Sequence, residues 1–468
     1  MRSADDQRFA RAICTTCATT VLLILSALAS PVAVQATGLV GASAGAYAQG
    51  EVLVRYASTA PDAARARIAS AAGGGGGQQA LDPYTRLIRL KHGVSVSVAL
   101  DRLRSKPGVV WAVPDYRARS ATVTPDDPGA VGEAPGNWQL LQWNFVGPFG
   151  VDALQAWSNL AAAGAPGGSG VVVAVLDTGV AYANRGRFLR SPDFSAQTFV
   201  KGYDFVSHTP YANDLNGHGT FVAGTIAETT NNGYGLTGLA YGARIMPVRV
   251  LDSAGEGDAS VIAEGIRFAV NHDARAINLS LEFPTYLTAA DVPELIDALR
   301  YAHHRNVVVV AAAGNQRAAT VPYPARAPGV IAVGATTEHG CLASYSDYGR
   351  RVTLVAPGGG TDAYLPDDPD CHPELASGRN IYQVTFAGTS PRLFGLPSNY
   401  EGTSMAAPHV TATAAMVIAS GVLGRRPTPE ALTALLKRTA RKLGGPQDRY
   451  MYGAGLLDAG AATAPAGP

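Results

Sequence analysis

The rhythm of apolar and polar positions changes near residue 137 of this 468-residue chain. Before it, Glu51–Tyr56 (EVLVRY), Thr85–Lys91 and Val109–Tyr116 alternate like strands with one buried face. The Ala- and Arg-rich Pro61–Ala72 and the segment Ser95–Lys106 carry helical spacing. Five consecutive glycines, Gly73–Gly77, predict a flexible linker or loop tip between them. No Lys-Ser or Lys-Thr follows, so the run is not a phosphate loop. A strand–helix–strand–helix–strand unit over residues 49–117 predicts a small α+β domain. A polar, Pro- and Gly-rich linker follows over residues 118–137.

From residue 138 to 468 the strands become short continuous runs of β-branched residues: Val171–Asp177, Arg244–Asp252, Ala276–Leu281, Val307–Gly314 and Val330–Ala335. Helical patterns lie between them at Thr220–Glu228, Ala259–His272 and Ala289–Asn306. Continuous apolar strands alternating with helices predict an α/β fold, a mostly parallel, doubly wound sheet with helices on both faces. Such sheets bind ligands beyond the carboxyl ends of their strands, so function is expected in the residues just past each strand.

At the start, Ala18–Ala36 is apolar, preceded by Arg2, Arg8 and Arg11 and followed by small residues. This predicts a signal peptide within residues 1–48, cleaved after Ala36 or Ala48, and a secreted or periplasmic product with no membrane attachment after its removal. An anchoring helix is the competing reading, and Ser30 and Pro31 argue for removal by interrupting the run. Charge adds little: 37 Lys plus Arg against 36 Asp plus Glu supplies no field for nucleic acid or an anionic surface. Of four cysteines, Cys14 and Cys17 leave with the signal. Cys341 and Cys371 remain, and an oxidising compartment favours a disulfide over a metal pair, whose usual spacings are missing.

Four polar residues stand at strand or helix boundaries. Asp177 ends VAVLDTGV, His218 lies in NGHGTFVAGTIA, Asn315 closes AAAGN, and Ser404 sits in EGTSMAAPHV. Each alone is an ordinary cap or turn residue. Gly-Thr-Ser also occurs at Ser390, where Pro391 and RLFGLP offer no helix; Ser404 opens a strongly helical run, so its N–H falls among the unpaired donors of a helix start. Pro408 is expected in the first turn, where a missing N–H costs little.

These four motifs, in the order Asp, His, Ser, resemble the subtilisin-like serine peptidases from about Gln142 to Ala459. The first domain is similar to that family's propeptide, a folding template and inhibitor, which implies an inactive precursor that is processed within Arg117–Asn137. The resemblance implies an Asp177–His218–Ser404 triad with Asn315 as oxyanion donor. It also implies a substrate cleft walled by Gly255, Glu256 and Gly257 on one side and by Ser280, Leu281 and Glu282 on the other, with Ala313 and Gly314 near the oxyanion residue. Glu282 and Phe283 stand where the family has two glycines. Glu282 either narrows the pocket and draws a basic residue or turns out to solvent. Phe221 replaces a second histidine near His218, and Tyr323–Pro324 reads as a turn that is cis in relatives.

The chemistry implied needs no cofactor. A structural calcium ion would find Gln142, Asp193 and Asn232, yet a hard cation wants six or more oxygens, so ordinary turn roles stay open. Partners expected are protein or peptide substrates and the chain's own propeptide, on a monomer with no extra binding or membrane domain expected after GAGLLDAGAATA. The insertion Gly358–Asn399 would be pinned beside the cleft by a Cys341–Cys371 bridge. Rivals are an inactive peptide-binding pseudo-peptidase, an aspartic-type peptidase built on Leu-Asp177-Thr-Gly, and an α/β-hydrolase. The second lacks a partner Asp-Thr/Ser-Gly, and the third would need the order Ser, Asp, His.

Overall fold

A computed structural model describes residues 47–116, 124–130, 132–365, 371, 378–445 and 448–465. The signal-like segment 1–46 and residues 117–123, the first part of the stretch in which processing is expected, lie outside the described residues. Two compact units divide at residues 119 and 120.

The first unit runs β1 (Tyr47–Tyr56), α1 (Asp62–Ala71), β2 (Gly74–Ala80), β3 (Thr85–Leu90), α2 (Val96–Arg104) and β4 (Val109–Tyr116). Its sheet has the order β2-β3-β1-β4, antiparallel throughout. This is a split β-α-β-β-α-β arrangement. Alternation along β1 buries Val52, Val54 and Tyr56 against Leu100 and Leu103 of α2, whose N-terminus is capped by Ser95 Oγ accepting from the Val98 N–H. The glycine run is not a linker. Gly74 pairs with Leu90 and opens β2, an edge strand that composition does not reveal. A Cβ on Gly74 would lie 2.8 Å from the Ala69 carbonyl, so the bare backbone is what lets α1 approach this strand.

In the second unit a seven-stranded sheet has the order β11-β10-β9-β8-β5-β7-β6, with every pairing parallel. The elements, in chain order, are α3 (Trp138–Leu141), α4 (Trp143–Val146), α5 (Ala153–Ala162), β5 (Val172–Asp177), β6 (Tyr203–Asp204), α6 (His218–Ala227), β7 (Arg244–Arg249), α7 (Ala259–Asn271), β8 (Ala276–Leu279), α8 (Pro293–His304), β9 (Val308–Ala312), β10 (Val330–Thr336) and β11 (Leu354–Pro357). There follow a hairpin of β12 (Thr385–Phe386) and β13 (Phe394–Gly395), then α9 (Thr403–Ser420) and α10 (Pro429–Thr439). Successive residues of a strand point to opposite layers. Val173 and Val175 of β5 join the core shared with α5, α6 and α9, while Ala174 and Leu176 join the one under α7 and α8.

Helix α9 has no polar face and is buried on all sides from Met405 to Ile418, as a helix crossing the middle of a core must be. Its many alanines leave room for close approach to β8, β9, β10 and β11. The Tyr323–Pro324 peptide is cis. Cys341 and Cys371 form a buried disulfide under the α7–α8 layer that ties the 358–399 insertion to the sheet. Residues 124–130 and 132–137, expected as free linker, pack on the second unit. There Asp127 is fully buried and the Trp138 indole N–H donates to the Pro125 carbonyl at 2.8 Å.

Candidate active site

Asp177 is the last residue of β5 and is wholly buried. His218 is the first residue of α6, and its Nδ1 lies 2.8 Å from Asp177 Oδ1. Two further features hold this pair. Thr178 donates its N–H to the same carboxylate oxygen at 2.7 Å. Asp214, which sequence reading passed over, accepts five hydrogen bonds: from the Thr178 hydroxyl, the Asn216 and Gly217 N–H groups, and both the N–H and hydroxyl of Thr220. It satisfies the open N–H groups at the start of α6 and locks β5 to that helix. Its signal was local: a carboxylate four residues before a histidine that starts a helix. Burial alone would push the His218 imidazole down. The charge of Asp177 and its hydrogen bond, with Asp214 behind, outweigh burial and hold the pKa above 6.5.

Ser404 is the second residue of α9, so its N–H has no acceptor within the helix. Gly402 before it has φ 146°, a conformation open to glycine, which delivers the chain abruptly into the helix. Ser390 lies exposed in the turn between β12 and β13 and is not part of the cavity. Pro408 is the sixth helical residue rather than a first-turn one. Its missing N–H frees the carbonyl four residues back, which is that of Ser404 itself. The Ser280 hydroxyl supplies the replacement at 2.8 Å, while accepting from Asn278 Nδ2 at 2.9 Å. Asn278 in turn accepts from the Thr411 hydroxyl at 2.8 Å. A buried polar chain thus sets the height of Ser404 above β8. Its own hydroxyl donates to the Ser280 carbonyl at 3.3 Å.

Asn315 follows β9. Its Oδ1 accepts from both the N–H of Thr403, at 2.8 Å, and the Thr403 hydroxyl, at 3.0 Å. The amide is thereby oriented with its acceptor side used, leaving Nδ2 as a donor. His218, Ser404 and Asn315 line one cavity of about 480 Å³. Gly255, Glu256 and Gly257 form one wall, and Ser280, Leu281 and Glu282 the other. Ala313 and Gly314 stay behind it: the Ala313 N–H bonds to Val333 and the Gly314 N–H to the Thr403 hydroxyl. Glu282 turns inward, with its Oε2 accepting from the Asn315 N–H at 2.9 Å. Phe221 stacks on Tyr400, ring centroids 4.2 Å apart, a packing role for the position where a second histidine was missing. The other histidine nearby, His409, is buried between Asn144 and the Met405 carbonyl; burial pushes it down to about 4, so it is a neutral core residue.

The three oxygen-bearing residues proposed for a cation do meet around loop 229–238, but hydrogen-bond donors occupy them. Gln142 Oε1 accepts from the Thr237 N–H. Asp193 accepts from Asn232 Nδ2 and the Leu236 N–H, and Asn232 Oδ1 from the Tyr234 N–H. Among the described residues no cluster of three or more His, Cys, Asp or Glu is arranged to hold a metal ion, and this donor set does not fit a calcium cage.

A carboxylate paired to an imidazole, a serine at a helix start and an aimed amide, at the rim of a parallel sheet, define a serine endopeptidase. Asp177 faces an imidazole and not a second carboxylate, which removes the aspartic-type reading. Comparison with known proteins agrees: the subtilase family profile matches residues 168–455, and the fervidolysin N-terminal prodomain profile matches residues 34–115. The chain belongs to the subtilase family. It is 34% identical over 409 residues to a thermophilic serine proteinase of Bacillus sp. (strain AK1), covering 87% of this chain and 86% of that one. It is 37% identical over 300 residues to Subtilisin Savinase of Lederbergia lenta, covering 63% and 91%. A solved protease of Pseudoalteromonas arctica superposes with TM-score 0.58 at 30% identity, covering 73% of this chain and 98% of that one. Subtilases need no cofactor for catalysis. Among the described residues no helix is long and apolar enough to cross a membrane.

Proposed function

We propose that this subtilase is exported as a zymogen and hydrolyses protein or peptide substrates through an acyl-enzyme. His218 Nε2 takes the proton of the Ser404 hydroxyl as Oγ bonds to the scissile carbonyl carbon. The tetrahedral oxyanion is met by Asn315 Nδ2 and the Ser404 N–H. His218 then returns the proton to the leaving amine as the C–N bond breaks, and water releases the acyl group by the same route in reverse. Asp177 holds the imidazole tautomer and stabilises the imidazolium. In the free enzyme the Ser404 hydroxyl rests on the Ser280 carbonyl, and such bonds reorganise when substrate arrives. Gly255–Gly257 and Ser280–Glu282 flank the substrate as an added strand between them. The prodomain acts as the intramolecular inhibitor, and maturation falls before Thr124, because Asp127 onward is built into the catalytic unit. The signal-like start supports export, and the near balance of 37 Lys plus Arg against 36 Asp plus Glu supports action without nucleic acid or an anionic surface.

The observation that carries this reading is the convergence of His218, Ser404 and Asn315 on one cavity, with the Asn315 amide oriented by Thr403. N-terminal sequencing of the secreted product, with fluorophosphonate labelling, tests it. Wild type should be cut and labelled, and Ser404→Ala should be neither. Labelling and processing that survive Ser404→Ala would end the proposal.

A further inference from the structure

We infer that Glu282 is a specificity-determining residue that selects a basic side chain immediately before the cut bond; the inference rests on the peptidase reading above. The carbonyl that enters the oxyanion site belongs to the residue preceding the scissile bond. That residue's side chain leaves its Cα one bond away from the carbonyl, so it starts beside Asn315. Glu282 lies there, with Oε2 2.9 Å from the Asn315 backbone nitrogen. The N–H anchors the carboxylate at the cavity wall, and Oε1 carries no hydrogen bond among the described residues.

Two features make the site acidic. The cavity lining contains Glu256 and Glu282 and, among the described residues, neither lysine nor arginine. Behind the wall stands Asp347, fully buried, with Oδ1 accepting from the Gln316 and Ala318 N–H groups and Oδ2 unpaired. Asp347 Oδ2 and Glu282 Oε2 crowd the same side of Gly314: a Cβ there would lie 2.1 Å from one and 2.7 Å from the other. Burial, with the Glu282 charge adding to it, raises Asp347 to about 6 despite those two N–H bonds. Two like charges crowded beside Gly314 repel, and a guanidinium or ammonium brought to the open oxygen of Glu282 relieves that repulsion. A guanidinium fits better, since it can bond a carboxylate through two parallel N–H groups.

The test uses the processed enzyme and peptide p-nitroanilides that differ only in the residue before the cut: arginine, its neutral near-isostere citrulline, lysine, norleucine and phenylalanine. In wild type, kcat/KM for arginine should exceed that for citrulline at least about tenfold, the scale of one charge-assisted hydrogen bond. The ratio should fall as salt rises. In Glu282→Gln it should collapse to within about twofold of unity; being a ratio within one preparation, it is unaffected by the fraction of active enzyme. A wild-type ratio of one or less overturns the inference without reference to any variant. A ratio that persists in Glu282→Gln assigns the preference elsewhere and overturns it too. Cleavage of the neutral substrates without basic preference defeats this inference alone, whereas failure to cleave any of the five defeats the peptidase reading.

Discussion

Replacing Asn315 by leucine separates what this side chain does for the fold from what it does for the reaction. Leucine has similar bulk but neither donates nor accepts. On the catalytic side it deletes Nδ2. The cost of losing one oxyanion donor in subtilisin is about 2.7–4 kcal/mol, which we carry over as a fall of about 10²–10³-fold in kcat. KM should stay nearly constant, because the interaction forms only as the carbonyl becomes an oxyanion. On the structural side it strips the acceptor from Thr403, which is fully buried and donates twice to Oδ1. An orphaned buried N–H costs about 1–3 kcal/mol, to be read as a lower midpoint in urea. Asn315→Asp divides the two effects: it keeps an acceptor for Thr403 and replaces the donor by an anionic oxygen, so kcat should fall at least as far. Steady-state kinetics on a peptide anilide, normalised by fluorophosphonate titration, reads the first effect, and urea unfolding of Ser404-blocked protein the second. Normal kcat in Asn315→Leu would refute the oxyanion role. Raised KM with unchanged kcat would mean that the amide binds ground-state substrate.

The His218 pKa is raised, and the base acts unprotonated, so kcat/KM should climb as pH rises through a value above 6.5; an acid limb centred well below 6.5 would contradict the Asp177 contact. The Cys341–Cys371 bridge closes a span of 30 residues, so Cys341→Ala with Cys371→Ala should lower stability by about 3–4 kcal/mol, read by urea unfolding of the blocked enzyme.

Much of this protein was legible as one-dimensional text. The β-branched runs became strands within a few residues of their expected limits, because a strand covered on both faces needs apolar side chains at every position. Asp177, His218, Asn315 and Ser404 each read alone as a cap or turn residue, and could be picked out because their four short motifs, in that order, resemble those of a known family. The Gly73–Gly77 run failed for the opposite reason. An edge strand with few side chains carries no pattern, and its pairing with β3 exists only once the fold supplies the neighbour. Thr403 and Asn278 were equally silent, since buried hydrogen-bonded groups look like any polar residue until their partners arrive.

By itself, then, the sequence determined the layer architecture and singled out the candidates for the reacting groups, because periodicity and local turn chemistry act over a few residues. Only the tertiary structure decided how those groups are aimed. Thr403 orients Asn315 from 88 positions away, and Ser280 takes the carbonyl that Pro408 frees on Ser404 from 124 positions away. The inward turn of Glu282 depends on an N–H donor 33 residues distant. Contacts of that kind are set by which strands lie side by side, and no local window of residues contains them.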